Sequence, residues 1–436
     1  MNATEHYRRT LASRCSRLPG ADLPWLGKVR EAAMARVEAQ GFPTRRNEDW
    51  KNTDLAALAS LSLDSFCPVT PPVSGAFPSI EGAHRFVFVD GGRVRGAEVL
   101  QPLPDGVVLT TLKQALADDP VPLARWLSRR PTGGEHAFFD LNTALMQDGI
   151  VLRVPAGVVV EQPVHVVSVS TGGERASWLR HLVIVEDGAA VEIVEEQITA
   201  SLMGGADLVD TVAFSSLGDE AELLHTRIQR AGERSHQLAM LHVEQGARSV
   251  YHLQSLSAGG AVGRTEVRVS QVGDEAETQI AGLSLGSGEQ VQDHLTFLDH
   301  QAVGGSSEQA FRSVLDGKAR AVFNGRVRVA PGAQQIDANQ DNRALLLSED
   351  AVANARPQLE IYADDVKCTH GATVGQVDEE ALFYLRQRGL SAGQARRLLL
   401  EAFTAEVADV FPEGAVRERV RATVDRWFAR ALEASP

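Results

Sequence analysis

Glycine recurs at a nearly constant interval through the middle of this 436-residue chain, and this interval constrains the fold more than any other feature. Between residues 188 and 332 a series of glycines is spaced 13 to 16 residues apart. The segments between them alternate polar and apolar side chains, as in ELLHTRIQR and RTEVRVSQV. Alternation with a period of two is typical of β-strands. The repeat therefore predicts one small strand-and-turn unit that is stacked many times.

Two architectures fit such a repeat: an antiparallel meander closed into a barrel or sandwich, and a flattened parallel β-helix with two strands per coil. A meander of this length leaves long strand edges to protect. A β-helix exposes edges only at its ends, where helical caps can cover them. Helical periodicity at both ends of the chain favours the β-helix, with parallel strands from about residue 84 to 365.

The predicted fold is therefore mainly β, with three parts. Residues 1–83 form an N-terminal helical domain and linker, residues 84–375 the β-helix core, and residues 376–436 a C-terminal helical domain. The C-terminal part reads as two amphipathic helices separated by a break at 411–414. One helix carries an arginine-rich face, so the pair is expected to cap the core or to dock a partner. Deletion after Gly389 is expected to leave the core folded.

Composition excludes several classes of protein. A net charge of −14 argues against non-specific nucleic-acid binding, which needs a basic face. Three widely spaced cysteines, Cys15, Cys67 and Cys368, indicate no disulfide framework. The sequence contains no run of 18 apolar residues and no apolar leader, so neither a membrane span nor export is predicted. A reducing cytoplasm is therefore the expected compartment. No GxxxxGK[ST] loop is present, so the chain is not expected to hydrolyse nucleotides.

Cys368-Thr369-His370 is the strongest candidate for chemistry. In a strand, the side chains of Cys368 and His370 share one face. Thiolate and imidazole bind iron and zinc, yet two ligands do not complete a site, so a structural cysteine is the simpler interpretation unless a second chain supplies ligands. His294 and His300, six residues apart, also share a face, although strand histidines are mostly hydrogen-bonding residues.

Three segments resemble a known family. The segment FNGRVRVAPGAQQIDANQDNRALLLSEDAVANARPQLEIYADDVKCTHGATVGQVDEEALFYLRQRGL closely resembles the C-terminal signature of SufD-type iron–sulfur cluster assembly proteins. FFDLNTALMQDGIVLRVPAGVVVEQPV and RRNEDWKNTDL are similar to other parts of the same family. The sister SufB subunits carry a glutamate after the histidine, where this chain has Gly371.

The resemblance implies a right-handed parallel β-helix in a non-catalytic scaffold subunit. It implies pairing with a SufB-like subunit through the β-helix and docking of a SufC-like ABC-type ATPase through the C-terminal helices. A nascent iron–sulfur cluster would form at the subunit junction and pass to apo-proteins. His370 would be a half-site ligand completed by a cysteine of the partner, with Cys368 a weaker candidate. The isolated chain would hold no tightly bound cofactor and could form a homodimer.

Two other classes stay open at this point. A β-helix carbohydrate-active enzyme would bind sugars on aromatic rings, and only 6% of the residues are aromatic. A stand-alone histidine metalloprotein would use His294, His300 and His370. The residues do not assign a cluster type, a role in iron entry, or a role for Cys15 or Cys67.

Overall fold

The computed structural model describes residues 3–65, 77–131, 136–203 and 205–433. The Pro-rich stretch at 67–72, including Cys67, lies outside these residues. The strands are β1 (Asp64–Ser65), β2 (His84–Val89), β3 (Gly92–Arg93), β4 (Val108–Thr111), β5 (Ile150–Val154), β6 (Val159–Gly172), β7 (Arg175–Val185), β8 (Ala190–Met203), β9 (Asp207–Leu217), β10 (Glu222–Ala231), β11 (Ser235–Gln245), β12 (Val250–Gly259), β13 (Val262–Gln271), β14 (Glu277–Gly286), β15 (Val291–His300), β16 (Ser306–Leu315), β17 (Arg320–Val329), β18 (Ile336–Leu346), β19 (Val352–Ile361) and β20 (Val366–Gln376).

The helices of the described residues lie before, within and after this run of strands. They are α1 (Ala3–Arg14), α2 (Pro24–Gln40), α3 (Ala56–Ala59), α4 (Leu112–Asp118), α5 (Val121–Leu127), α6 (Ala137–Leu145), α7 (Glu379–Gln387), α8 (Ala392–Ala408) and α9 (Ala415–Glu433). No helix in these ranges combines the length and apolarity needed to cross a membrane. Helices α4 to α6 fall inside the range predicted for the core, and the three-domain division at 83 and 375 stays a prediction.

Successive strands alternate between two sheets, so that each coil contributes one strand to each sheet. The first sheet runs in the order β19-β17-β15-β13-β11-β9-β7-β5-β4, and the second in the order β20-β18-β16-β14-β12-β10-β8-β6-β2-β3. The pairs from β5 to β20 within each sheet are parallel. The parallel β-helix is confirmed. Antiparallel pairing occurs only between β2 and β3 and between β4 and β5 among the named strands.

The glycine period has a physical cause at one corner of the helix, where turns stack on turns. At Gly273 an added Cβ would lie 2.0 Å from the backbone nitrogen of Ala247 in the preceding coil, so no larger residue fits. Two residues later the chain adopts a left-handed conformation at Glu275, with φ 58°. The N–H of Glu275 donates to the carbonyl of Val303 in the next coil at 2.8 Å. Each turn is thereby fixed against its neighbours.

Helices cover the outer faces of the two sheets. Tyr7, Met34 and Phe138 from the N-terminal helices pack with Trp178 and Leu238 on the first sheet. Residues of α8 and α9 pack on apolar side chains of the second sheet; this cluster includes Ile228, Leu256, Leu283, Val314, Leu400, Val407, Val420, Val424 and Phe428. The C-terminal helices therefore lie along the flank of the β-helix, whereas β20 at its end is exposed over most of its length. The expected helical cap does not cover this end.

Candidate functional site

Cys368 and His370 lie on β20, the last strand of the second sheet. One edge of β20 pairs with β18, in a register that places Cys368 beside Ala338 and His370 beside Gln340. No strand of the described residues pairs with its other edge. The two candidate residues thus occupy the end of the β-helix, a position that no local pattern in the sequence reveals.

The side chain of His370 belongs to the row of β20 that faces the interior of the helix. Val366 and Cys368, which precede His370 in the same row of alternate residues, pack against the interior core cluster. His370 continues this row because side chains alternate along a strand. It is exposed, since no coil follows to cover it. His370 is therefore an inward-directed imidazole at the open end of the solenoid, and it lies one alternate position after Cys368 on the same strand.

The electrostatic surroundings favour His370 over Cys368 as a metal ligand. Burial, together with the nearby Asp337 carboxylate, raises the pKa of the Cys368 thiol. The thiol is therefore mostly protonated near neutral pH, and a protonated thiol is a poor ligand. His370 has no hydrogen bond or ion pair with any described residue. A neutral imidazole binds metal through its lone pair without losing a proton.

The described residues do not complete a metal site by themselves. Among them, no group of three or more histidine, cysteine or acidic side chains is placed to hold a metal ion. His294 is buried with its ring 5.1 Å from that of Phe311, and burial lowers its pKa to about 4. The His300 ring lies 3.0 Å from the hydroxyl of Ser307. Cys15 is an exposed free thiol in the N-terminal helical region.

The neighbouring edge strand β19 differs from β20 in one backbone feature. The N–H groups of Val352 and Tyr362 donate to carbonyls of the coil that contains β17. Because alternate residues of a strand point to the same side, Pro357 occupies a position that faces the free edge. Proline has no N–H, so it interrupts the free edge of β19 in its middle. No proline occurs in β20.

Sequence reasoning missed the role of the charged N-terminal motif around Trp50. Trp50 is buried, and the Arg264 guanidinium lies 3.9 Å from the centre of its ring. Arg264 also donates to the carbonyl of Asp49 at 2.9 Å, and Thr53 donates to Asp293 at 2.5 Å. The motif therefore straps the N-terminal region to the first sheet. Its partners lie more than 200 residues away in sequence, where no local signal marks them.

The C-terminal helices carry a second surface feature. Phe383 and Tyr384 on α7 are exposed by 63% and 56%, and Leu398 on α8 is also exposed. The arginines of α9 are partly used within the chain: Arg419 pairs with the buried Glu196 of β8. The exposed surface of α7 is thus apolar, whereas part of the arginine-rich face of α9 is used in contacts within the chain.

Comparisons with known proteins agree with this architecture. Residues 168–403 match the family model described as SUF system FeS cluster assembly, SufBD core domain. Residues 1–64 and 76–166 match the SufBD protein N-terminal region. These two models together account for most of the chain, including β20.

Curated relatives span nearly the same length. The iron–sulfur cluster assembly SufBD family protein slr0076 of Synechocystis is 32% identical over 408 residues, covering 91% of this chain and 89% of that protein. The iron–sulfur cluster assembly protein SufD of Escherichia coli is 30% identical, covering 88% of this chain and 89% of that protein. SufD of Bacillus subtilis is 26% identical, with coverage of 92% and 94%. The chain belongs to the SufBD family of the SUF system for iron–sulfur cluster assembly, and its relatives include proteins named SufD.

Proposed function

We propose that this chain is a non-catalytic scaffold subunit on which a nascent iron–sulfur cluster is assembled as cargo and then passed to apo-proteins. The observation that carries the proposal is the position of His370, an unpartnered imidazole on an exposed edge strand. One imidazole ligand is a half-site. A second chain that covers this end would bring the remaining ligands, and a SufB-like subunit with a cysteine is the proposed source.

The free edge of β20 supports pairing with that subunit through the β-helix. Asp337 donates its N–H to the preceding coil. Lys367, its register partner on β20, has the same backbone orientation, so its N–H points towards β18. The N–H groups of the alternate residues Cys368, His370 and Ala372 therefore face the open edge. An added strand could accept these hydrogen bonds and would place its side chains beside His370. Pro357 disfavours continuous pairing on β19, which concentrates the proposed junction at β20.

A histidine suits a cluster that must be released. A neutral imidazole donates one lone pair and needs no reprotonation when the metal leaves, whereas a thiolate binds iron more strongly. Cys368 is the weaker candidate because its thiol is half-buried and its pKa is raised. A reducing cytoplasm is the proposed compartment, in which Cys15 and Cys368 stay free thiols. The same open edge would also permit a homodimer when the partner is absent.

The apolar surface of α7 supports docking of a SufC-like ABC-type ATPase at the C-terminal helices. Phe383 and Tyr384 are large exposed side chains, a type that contributes strongly to binding when a partner buries it. ATP-driven movement of the partner ATPase would then act on helices that pack directly on the second sheet. This chain would transmit that movement and would not itself hydrolyse ATP.

The substitution His370→Ala tests the proposed site. The side chain is exposed and makes no described contact, so the variant should fold and assemble with its partners as the wild type does. Cluster formation in cells should fall at least tenfold, because one ligand of the junction is lost. The activity of an iron–sulfur enzyme in cells that depend on this SUF system measures the outcome.

Cys368→Ala is the matched control for that test. It changes the neighbouring member of the same inward row and should reduce cluster formation much less. The scaffold proposal is contradicted if His370→Ala delivers clusters at the wild-type rate while it assembles normally. Iron analysis of the isolated wild-type chain adds a second check: stoichiometric tight binding would favour the stand-alone metalloprotein.

A further inference from the structure

Gln340 is a buried amide with no hydrogen-bonding partner, and it lies directly beside His370. The side chain is 1% exposed, and neither its Oε1 nor its Nε2 has a partner among the described residues. Leaving buried polar atoms unsatisfied is destabilising, because the desolvated groups regain no hydrogen bond. An apolar side chain at this position would avoid that cost. Packing alone therefore does not explain an amide at this position.

The register of the last two coils brings the amide and the imidazole together. Gln340 on β18 is the register partner of His370 on β20, and both belong to the inward-facing rows of their strands. Neighbouring strands of a sheet lie about 4.8 Å apart, and register partners project in the same direction. The carboxamide of Gln340 and the ring of His370 are therefore neighbours on the same face of the sheet.

The interior column below His370 changes in character towards the open end. Following the register back from Gln340, the next positions are Gln309, Ile280 and Leu253. Gln309 accepts a hydrogen bond from Thr296 at 2.6 Å, while its Nε2 has no partner. Stacked amides in parallel in-register strands can hydrogen-bond along the stack. The column is thus apolar at Leu253 and Ile280 and becomes amide in the two coils before His370. Beyond Leu253 it continues to the buried His225.

We propose that Gln340 is a positioning residue for His370. Its carbonyl oxygen accepts the N–H of one ring nitrogen, which leaves the other nitrogen with its lone pair directed to the open end. Histidines that bind metals generally donate their second N–H to an oxygen, and this contact fixes the tautomer and the ring orientation. A neutral amide does this without competing for iron as a carboxylate would. The inference rests on the proposed function of His370.

The nearest carboxylates do not replace Gln340 in this role. Asp337 and Asp341 lie at odd positions of β18, on the opposite face from Gln340. Asp341 pairs with Arg312 and Arg343 on that outer face. Gln340 is the residue of β18 whose side chain shares both register and face with His370.

The test is ¹⁵N NMR of the imidazole nitrogens in the full-length chain. The His370 signal is assigned by its loss in His370→Ala. In the wild type we expect one dominant tautomer of His370, because one ring nitrogen is held by the amide. Gln340→Met, which keeps a similar unbranched shape without the carbonyl, should give the tautomer mixture of a solvated histidine. Gln340→Glu keeps an acceptor oxygen and should restore a single tautomer.

Asn339→Leu is the matched control, because it removes an amide from the adjacent position, whose side chain faces outward and accepts from Thr369 at 2.9 Å. It should leave the His370 tautomer unchanged. A tautomer ratio that is the same in the wild type and in Gln340→Met overturns the inference. If Gln340→Met does not fold, Gln340→Leu is measured instead, and the same criterion applies.

Cluster formation supplies the second readout and separates this inference from the proposed function. Loss of such a contact generally weakens metal binding roughly 10- to 100-fold, so Gln340→Met should reduce cluster formation. If the tautomer responds to Gln340→Met while His370→Ala forms clusters normally, the contact stands and the proposed function fails. If cluster formation depends on His370 but not on Gln340, the positioning role is overturned alone.

Discussion

At the scale of single residues, the interior of the solenoid contains a buried ionic group as well as aliphatic side chains. The carboxylate of Glu195 accepts a hydrogen bond from Arg227 at 2.7 Å, and the ring of His225 lies 3.0 Å away. Burial alone would raise the pKa of Glu195. The charge of Arg227 and the hydrogen bond from His225 outweigh it and hold that pKa well below its usual range. The group contributes to stability only while it is complete.

Removing one member of this group should be strongly destabilising. Arg227→Met leaves the Glu195 carboxylate buried without its cation, and we expect the free energy of unfolding to fall by about 3–5 kcal/mol. Urea unfolding at pH 7, followed by circular dichroism, measures the change. The double variant Glu195→Gln/Arg227→Met removes both charges and should recover most of the loss. Equal stability of the wild type and Arg227→Met would show that the ion pair is not stabilising.

The pH dependence has a definite sign. Because the pKa of Glu195 is lower in the folded chain than in the unfolded chain, its contribution is present above the ordinary carboxyl value of 4.5. It is lost as the pH falls below that value, since the unfolded state then binds more protons. The double variant should lack this part of the acid sensitivity.

At the scale of elements, the helices of the C-terminal region differ in where they place their apolar side chains. Helix α9 buries its apolar stripe against the second sheet and α8, and Arg419 ties it to Glu196. Helix α7 buries Leu382 and leaves Phe383 and Tyr384 on the surface. The Tyr384 hydroxyl accepts a hydrogen bond from Arg388 at 2.6 Å, which holds its ring in place on the surface.

Phe383→Ser should separate partner binding from folding. The side chain is 63% exposed, so its loss should change stability little. We expect binding of the proposed SufC-like ATPase to weaken by at least about 2 kcal/mol, the usual size of an effect at an aromatic hot spot. Calorimetric titration with the purified ATPase measures this. Val121→Ser, at an exposed apolar residue on α5, is the control and should bind normally. Unchanged binding by Phe383→Ser would move the docking surface elsewhere.

At the scale of the whole molecule, helices and solenoid form one packed body. Ile228, Leu256 and Leu283 on the outer face of the second sheet are buried beneath α8 and α9. These side chains therefore form a hydrophobic core that the solenoid shares with the two helices. The sequence-based expectation that the solenoid stays folded without them is untested, and the packing now favours the opposite outcome.

Deletion of residues 390–436 should accordingly yield insoluble or aggregated protein. The truncation exposes a contiguous apolar face of parallel strands, which is a strong aggregation hazard. The soluble fraction after expression and the circular dichroism spectrum are the measurements. The full-length Phe383→Ser variant should stay soluble and serves as the control. A soluble truncation with a native β spectrum would show that the solenoid is an independent unit.

The sequence alone determined the repeating unit, the parallel β-helix and the shared face of Cys368 and His370. These features depend on local rules: alternation along a strand, the left-handed or closely packed corner that selects glycine, and helical periodicity. Such rules act over a few residues, so one chain displays them without a partner or an alignment. The resemblance of the 323–390 segment then named the family that the comparisons confirmed.

Only the tertiary structure decided which residues meet across coils and where the stack ends. Gln340 and His370 are adjacent because successive coils are stacked in one register, and no local pattern marks a pair 30 positions apart. The exposure of His370 follows from β20 being the last strand, and the interruption of the free edge of β19 follows from the side to which Pro357 points. The strap at Trp50 likewise depends on Arg264 in a distant coil. Register and edge position arise from packing of the whole solenoid, so they appear only when it is assembled.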